Sequence, residues 1–325
     1  MRRREFMTLL GGAAAWPSIT FGKEVQRRVG VLMNVGTEDP HAHRRLAALE
    51  QELGSLGWTT GRNLQIDQRW AWGSSDNYRE AAAELLSLKP DVVVVTGAAT
   101  LAMQRASKTV PIVFAQAVDP VGAGFVTSLA RPRGNATGFM QFEYSLAGKW
   151  LQMVREIDPT VRRVGVVRDP STPAGIGQWA ALQVAAEPIG VELFPLSSKE
   201  EREIESGIAD FAVEPNGALI IGVGGTNSVH RKAIIANAAR HRLVAIYAHS
   251  YMAADGGLLS YGVDLIDQYR HVARYVNRIL KGEKPSNLPV QKPTRYELTI
   301  NMKTAKALNI LIPSALLARA DEVIE

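Results

Sequence analysis

Four consecutive valines, Val92 to Val95, stand between Pro90 and Gly97. A run this short and this β-branched suits a strand covered on both faces, the normal situation in a parallel sheet, better than a buried helix. A short helical stretch follows, then a second apolar run from Val110 to Ala117 that ends at Asp119-Pro120. The loops at Thr96 to Thr100 and at Asp119 would then leave the carboxyl ends of neighbouring strands. In open α/β sheets that edge is where ligands bind.

The same pattern returns about a hundred residues later. Ala218 to Gly222 reads as a strand, Val223 to Asn227 as its loop, and Ser228 to Arg242 as a helix; Leu243 to Tyr247 and Ala248 to Tyr251 are the next strand and loop. Two such halves predict an α/β fold of two Rossmann-like lobes whose strand ends face each other across a ligand cleft. That arrangement takes up a small molecule by closing on it.

Around these halves the alternation continues. Arg28 to Asn34 is the first strand, with the loop Val35 to Asp39 after it, and Ala42, Leu46, Leu49 and Leu53 recur at helical spacing before Gly57. Asn63 to Trp70 alternates as a strand should, and Asp76 can cap the helix carrying Tyr78, Ala82 and Leu85. The run from Val121 to Leu129 reads as a helix, Arg131 to Gly138 as a turn-rich crossing, and Leu146 to Ile157 as the helix that opens lobe two. Arg163 to Val167 and Val191 to Leu196 are strands, with helices through Trp179 and through Ile204. Leu258 to Gly262 crosses back, Asp264 to Leu280 is a helix returning to lobe one, Lys281 to Pro289 is a surface connection, and Tyr296 to Asn301 is a late strand. The expected division is residues 1–22 as an export signal, 23–138 with 262–285 as lobe one, and 139–261 with 286–325 as lobe two.

The first 22 residues place Arg2, Arg3 and Arg4 before a modest apolar run too short to span a bilayer. Arg3-Arg4-Glu5-Phe6-Met7 resembles a twin-arginine signal, so the mature chain, beginning after Gly22, is expected in the periplasm. Without the signal a formal charge of +3 remains of the original +5, too mild and too scattered for nucleic acid. The absence of cysteine removes disulfides, thiolate metal sites, cysteine nucleophiles and a lipid-modified cysteine anchor. The mature protein is therefore expected to be soluble, not inserted in the membrane, and monomeric.

Signatures of catalysis are missing: no Gly-x-Ser-x-Gly, no His-Glu-x-x-His and no Walker loop occurs. No catalytic residue, metal site or cofactor is assigned. His41 and His43, two residues apart near a helix start, point in different directions and read as solvated surface. Candidate ligand-binding residues come instead from the strand-end loops. In lobe one these are Thr37, then Thr96, Gly97, Ala98 and Ala99, which either offer donors to a carboxylate or simply start a helix. Asp119 either receives an ammonium group or caps the segment after it. In lobe two they are Asp169, Ser171 and His249, with Gly224 and Thr226 in a glycine-rich bend that can present amides to an anion, while Tyr261, with Tyr247 and Tyr251, would wall an apolar pocket.

The sequence resembles the solute-binding proteins of ABC transporters, in the family of type I periplasmic binding proteins related to tryptophan and tyrosine uptake. The residues that carry the resemblance include Val110-Pro-Ile-Val-Phe114, Ser128-Leu-Ala-Arg-Pro132, Gly134-Asn-Ala-Thr-Gly138, Ser260-Tyr-Gly262 and the tail from Leu316 to Glu325. The resemblance implies lobes joined by three crossing segments, with capture of a small solute and its delivery to ABC permease subunits. Family members often carry Asn-Pro-x-Asn-Pro-like and Asp-Pro-Phe-like loops in lobe two; here those places read Asp169-Pro-Ser-Thr-Pro173 and Gly222-Val-Gly-Gly-Thr226. The solute thus stays open between an amino acid and a small carboxylate or aromatic acid. Two further classes use the same architecture. A sensory protein would pass the bound ligand to a receptor, and a racemase would need an acid and base pair that the sequence does not display.

Overall fold

The computed structural model describes residues 26–72 and 74–325. The expected export signal lies outside the described residues.

The first half alternates β1 (Arg27–Met33), α1 (Pro40–Ser55), β2 (Leu64–Trp70), α2 (Ser75–Ser87), β3 (Val92–Thr96), α3 (Ala99–Ala106), β4 (Ile112–Ala117) and β5 (Ala136–Met140). These strands form one parallel sheet in the order β2-β1-β3-β4-β5. The valine run is its centre: Val92 to Val95 of β3 lie beside Val29 to Leu32 of β1, and Val93 to Thr96 beside Ile112 to Ala115 of β4. All five residues of β3 are buried because helices cover both faces. Asp39 starts α1 by accepting the Ala42 N–H at 2.8 Å, with Pro40 as the first helical residue.

The second half contains α4 (Tyr144–Ile157), β6 (Arg163–Arg168), α5 (Pro173–Ala186), β7 (Glu192–Ser197), α6 (Glu201–Phe211), β8 (Gly217–Ile221), α7 (Gly225–Val229), α8 (Arg231–Arg240), β9 (Val244–Tyr247), α9 (Ser250–Ala254) and β10 (Leu259–Val263). Next comes α10 (Leu265–Leu280), then β11 (Tyr296–Asn301), α11 (Met302–Leu308), α12 (Ser314–Leu317) and β12 (Glu322–Ile324). The second sheet runs β12-β11-β10-β9-β8-β6-β7, with β11 antiparallel to β10. Trp150 of α4, fully buried, anchors its core and donates its indole N–H to the Tyr261 carbonyl at 2.7 Å.

The helix α10 returns to the first sheet. Tyr269, Val272, Ala273 and Val276 form its apolar stripe and pack with Leu46, Leu49 and Val94. Asp264 caps it, accepting the N–H groups of Ile266 and Asp267 at 2.9 and 3.0 Å.

Several sequence expectations change. The residues 121–129 form turns, not a helix: Phe125 and Val126 both donate to the Pro120 carbonyl, and Gly124 takes φ 74°. The segment 131–138 is not a crossing, since Ala136 to Met140 is the fifth strand of the first sheet. Leu259 to Val263 likewise belongs to the second sheet. The first crossing runs through Gln141 and Phe142, the second through Asp264. The residues 286–291, expected in lobe two, stay on lobe one: Thr137 donates to the Leu288 carbonyl at 2.6 Å, and Gln291 donates to Gly138. The reason is apolar, as Leu288 is fully buried against the first lobe. The helix expected over 228–242 breaks at His230 into α7 and α8.

Candidate functional site

A cavity of about 290 Å³ lies between the lobes, walled by the loops after β1, β2, β3 and β4 on one side and after β6 and β8 on the other. Its size is at the small end for a ligand site, fitting a small metabolite and not an oligosaccharide or peptide. Trp72, Tyr78, Leu101, Val118, Phe125 and Val229 give it an apolar lining. Across it Tyr78 of lobe one faces Asp169 of lobe two. Burial, with the Asp169 charge added, pushes the Tyr78 hydroxyl up to about 12.

A bulge in β4 shapes the floor. The register between β4 and β5 shifts between Phe114 and Ala117, and Gln116 takes φ 59°, a left-handed conformation that costs a non-glycine residue of the order of 1 kcal/mol. Three buried glutamines hold this bend. The Gln116 N–H donates to Gln268 Oε1 at 3.2 Å, Gln268 donates to the Met140 carbonyl at 2.9 Å, and Gln141 donates to the Gln116 carbonyl at 2.8 Å. The floor is thereby tied to the first crossing and to α10, so the cavity and the connection between the lobes share one network.

The lobes meet at Asn34, which sits between two glycines. A Cβ on Gly97 would stand 2.7 Å from Asn34 Nδ2, and one on Gly225 of the other lobe 3.3 Å from it. Beyond this point lies a second, polar contact. The Arg231 guanidinium of lobe two binds Asp39 of lobe one at 3.0 Å and Asp255 of its own lobe at 2.7 Å. His41, expected on the solvated surface, is packed between the lobes, stacked on Tyr251 at 4.6 Å and 3.3 Å from Asp255. Burial lowers its pKa against the pull of Asp255. His43 remains exposed.

Of the twelve residues singled out from the sequence, seven line the cavity: Gly97, Ala98, Asp119, Asp169, Ser171, Gly224 and Thr226. His249 lines a small recess beside it and is 4% exposed; burial, and then the Arg45 charge, push its imidazole down to about 3. Four are elsewhere. The Thr96 hydroxyl is buried between the Asn34 N–H and the Leu32 carbonyl, and Ala99 is a core residue. Thr37 faces solvent beside Glu38, and Tyr261 stacks on Tyr296. The Asp119 and Asp169 carboxylates brace their own turns, accepting the Gly122 N–H at 2.9 Å and the Ser171 N–H at 2.9 Å. Asp169 can also face a ligand with its second oxygen, whereas that of Asp119 accepts the Tyr144 hydroxyl at 3.4 Å. Trp72, Tyr78, Gln116 and Gln141 carry no loop signature in the sequence and could not be singled out. Among the described residues no cluster of metal-ligating side chains occurs, and no helix is long and apolar enough to cross a membrane.

Residues 29–324 match the family described as ABC transporter substrate binding protein. The chain belongs to that family. It is 24% identical over 292 residues to the tyrosine-binding protein of Clostridioides difficile, covering 88% of this chain and 81% of the relative. Among solved structures, a conserved domain protein from Vibrio cholerae superposes with a TM-score of 0.86 at 28% identity, covering 92% of this chain and 99% of the other. The Streptococcus pneumonia ABC domain in complex with L-Trp gives 0.83 at 24% identity, covering 91% and 100%. The two lobes described above are the type I periplasmic binding protein fold, which the expectation from the sequence had named.

Proposed function

We propose that this protein is the extracytoplasmic receptor of an ABC importer, exported through the signal at residues 1–22, which captures a small organic acid or amino acid by lobe closure and delivers it to a permease. The observation that carries this reading is the 290 Å³ cavity enclosed by strand-end loops of both lobes. A site divided between two bodies is filled most tightly when they close, so the ligand selects the closed form and presents it to the permease. The aromatic side chains Trp72, Tyr78 and Phe125 favour a solute with a flat apolar body. The names of the relatives point the same way, which makes tyrosine and tryptophan the first compounds to try. In this reading the mature chain works as a soluble periplasmic monomer that releases its solute unchanged.

The test is a thermal-shift screen of the mature chain against aromatic amino acids, aromatic and aliphatic carboxylates and sugars, with native mass spectrometry for co-purified solute. A ligand at a hundred times its Kd adds about 2.7 kcal/mol, several degrees for a chain of this size. A rise with one chemical class and no conversion of that compound supports capture. A flat screen with no co-purified solute overturns it.

A further inference from the structure

Arg45 occupies the core-facing stripe of α1, among Ala42, Leu46, Leu49 and Leu53, where helical periodicity calls for an apolar residue. It is 5% exposed, its guanidinium lies 5.9 Å from the Tyr269 ring, its Nε has no hydrogen-bond partner, and no carboxylate pairs with it among the described residues. A buried charge without a counter-ion is strongly unfavourable, so an anion brought to this guanidinium is held firmly. The guanidinium faces a recess of about 20 Å³ that it shares with His249, Ser228, Gln116 and Gln141. Two more buried atoms there lack partners, His249 Nδ1 and Gln141 Oε1. The walls Asn34, Gln116, Gln141, Gly224 and Gly225 are common to this recess and the main cavity. A molecule in the main cavity therefore reaches Arg45 with one small group. The nearby carboxylates Asp39 and Asp255 are committed to Arg231 and leave Arg45 without an anion of the protein's own.

We propose that Arg45 is the anion anchor of the cleft: the captured solute is a carboxylate whose charged end enters the recess and pairs with Arg45 while its apolar body fills the main cavity. The volume of the recess, about that of one water, admits one oxygen of a carboxylate and little more. The neutral imidazole of His249, whose Nδ1 has no partner, supplies a further donor. This inference rests on the reading of the cleft as a solute site and adds the residue that selects the acid group and the place where that group sits.

The test uses the full mature chain in calorimetry with phenylacetate, indole-3-acetate, aromatic α-amino acids and short aliphatic carboxylates, each against its primary amide, and with neutral sugars. Wild type is expected to bind an acid on the order of 100-fold more tightly than its amide, and Arg45→Met to lose acid binding by on the order of 10²- to 10³-fold, with the preference for acid over amide abolished. The ligand-free Arg45→Met protein should melt at or above the wild-type temperature, because an apolar side chain replaces an unpaired charge. Arg45→Lys keeps the charge without the planar fork and should lose roughly tenfold for acids and nothing for amides. Equal binding of acid and amide by wild type, or unchanged acid affinity in Arg45→Met, overturns the anchor and leaves solute capture standing. If Arg45→Met does not fold, unchanged acid affinity in Arg45→Lys overturns it equally. Failure of wild type to bind any compound of any class overturns capture itself, and the anchor with it.

Discussion

Replacing Asp39 by asparagine tests whether the polar contact at the rim closes the cleft. Asp39 has two tasks: Oδ1 caps α1, and Oδ2 binds Arg231 of the other lobe at 3.0 Å. Asparagine caps a helix about as well as aspartate, so the change leaves lobe one intact and removes only the charge that spans the lobes. Both side chains are about nine-tenths buried, with 9% of Asp39 and 10% of Arg231 exposed, so solvent screens the pair weakly. A hydrogen bond to a charged group contributes about 1.5–3 kcal/mol. Arg231 keeps Asp255, and asparagine still accepts a neutral bond, so the lower end applies, about 1.5 kcal/mol. That is roughly a tenfold change in the balance of closed and open forms, and the apparent Kd should rise by up to that factor. Calorimetry with a solute found in the screen reads the affinity, and small-angle scattering reads the fraction closed at partial saturation. An Asp39→Asn protein with Kd within a factor of two of wild type, and with an unchanged scattering curve, would refute the claim that this pair drives closure.

Two further outcomes follow from the structure. His249 and His41 are both held neutral by burial, so the unfolded chain takes up protons near pH 6.5 that the folded protein refuses. This contribution to folding stability is complete above about pH 6.5 and declines as pH falls, continuing for His249 towards about pH 3, by at most about 1.4 kcal/mol per pH unit for each group. Melting temperature followed from pH 7.5 to 5 should fall, and His249→Gln should flatten the slope by one proton; a slope identical to wild type counts against the burial of this ring. Gly138→Ala places a Cβ 2.0 Å from the Phe114 carbonyl oxygen between β4 and β5. It should cost about 3 kcal/mol or more in urea unfolding, and a loss below about 1 kcal/mol would contradict the observed strand spacing.

Local pattern was enough for the two lobes. The valine run of β3, the apolar runs of β4, β8 and β9 and the stripe of α10 each bury one recognisable face, and burial is what periodicity encodes. The strand-end loops followed from the same logic, which is why Asp119, Asp169 and Gly224 line the cavity. Sequence pattern failed where a residue answers to a distant part of the chain. Residues 121–129 look helical, yet the Pro120 carbonyl gathers them into turns; Ala136 to Met140 looks like a crossing, yet a free edge of β4 takes it as a strand. His41 reads as solvated because its partners, Tyr251 and Asp255, are two hundred residues away.

Composition, lobes, the position of the cleft and the family are thus properties of the sequence alone, because they depend on which segments are apolar and in what period. What only the tertiary structure decided is what the cleft can hold. Gln116 reaches the floor through a bulge, Asn34 bridges two glycines from different lobes, and Arg45 is an arginine on an apolar stripe until folding sets it beside His249 and Gln141. Hydrophobic burial is read from each segment by itself, whereas the pairing of polar groups depends on distances between segments that only the folded chain fixes.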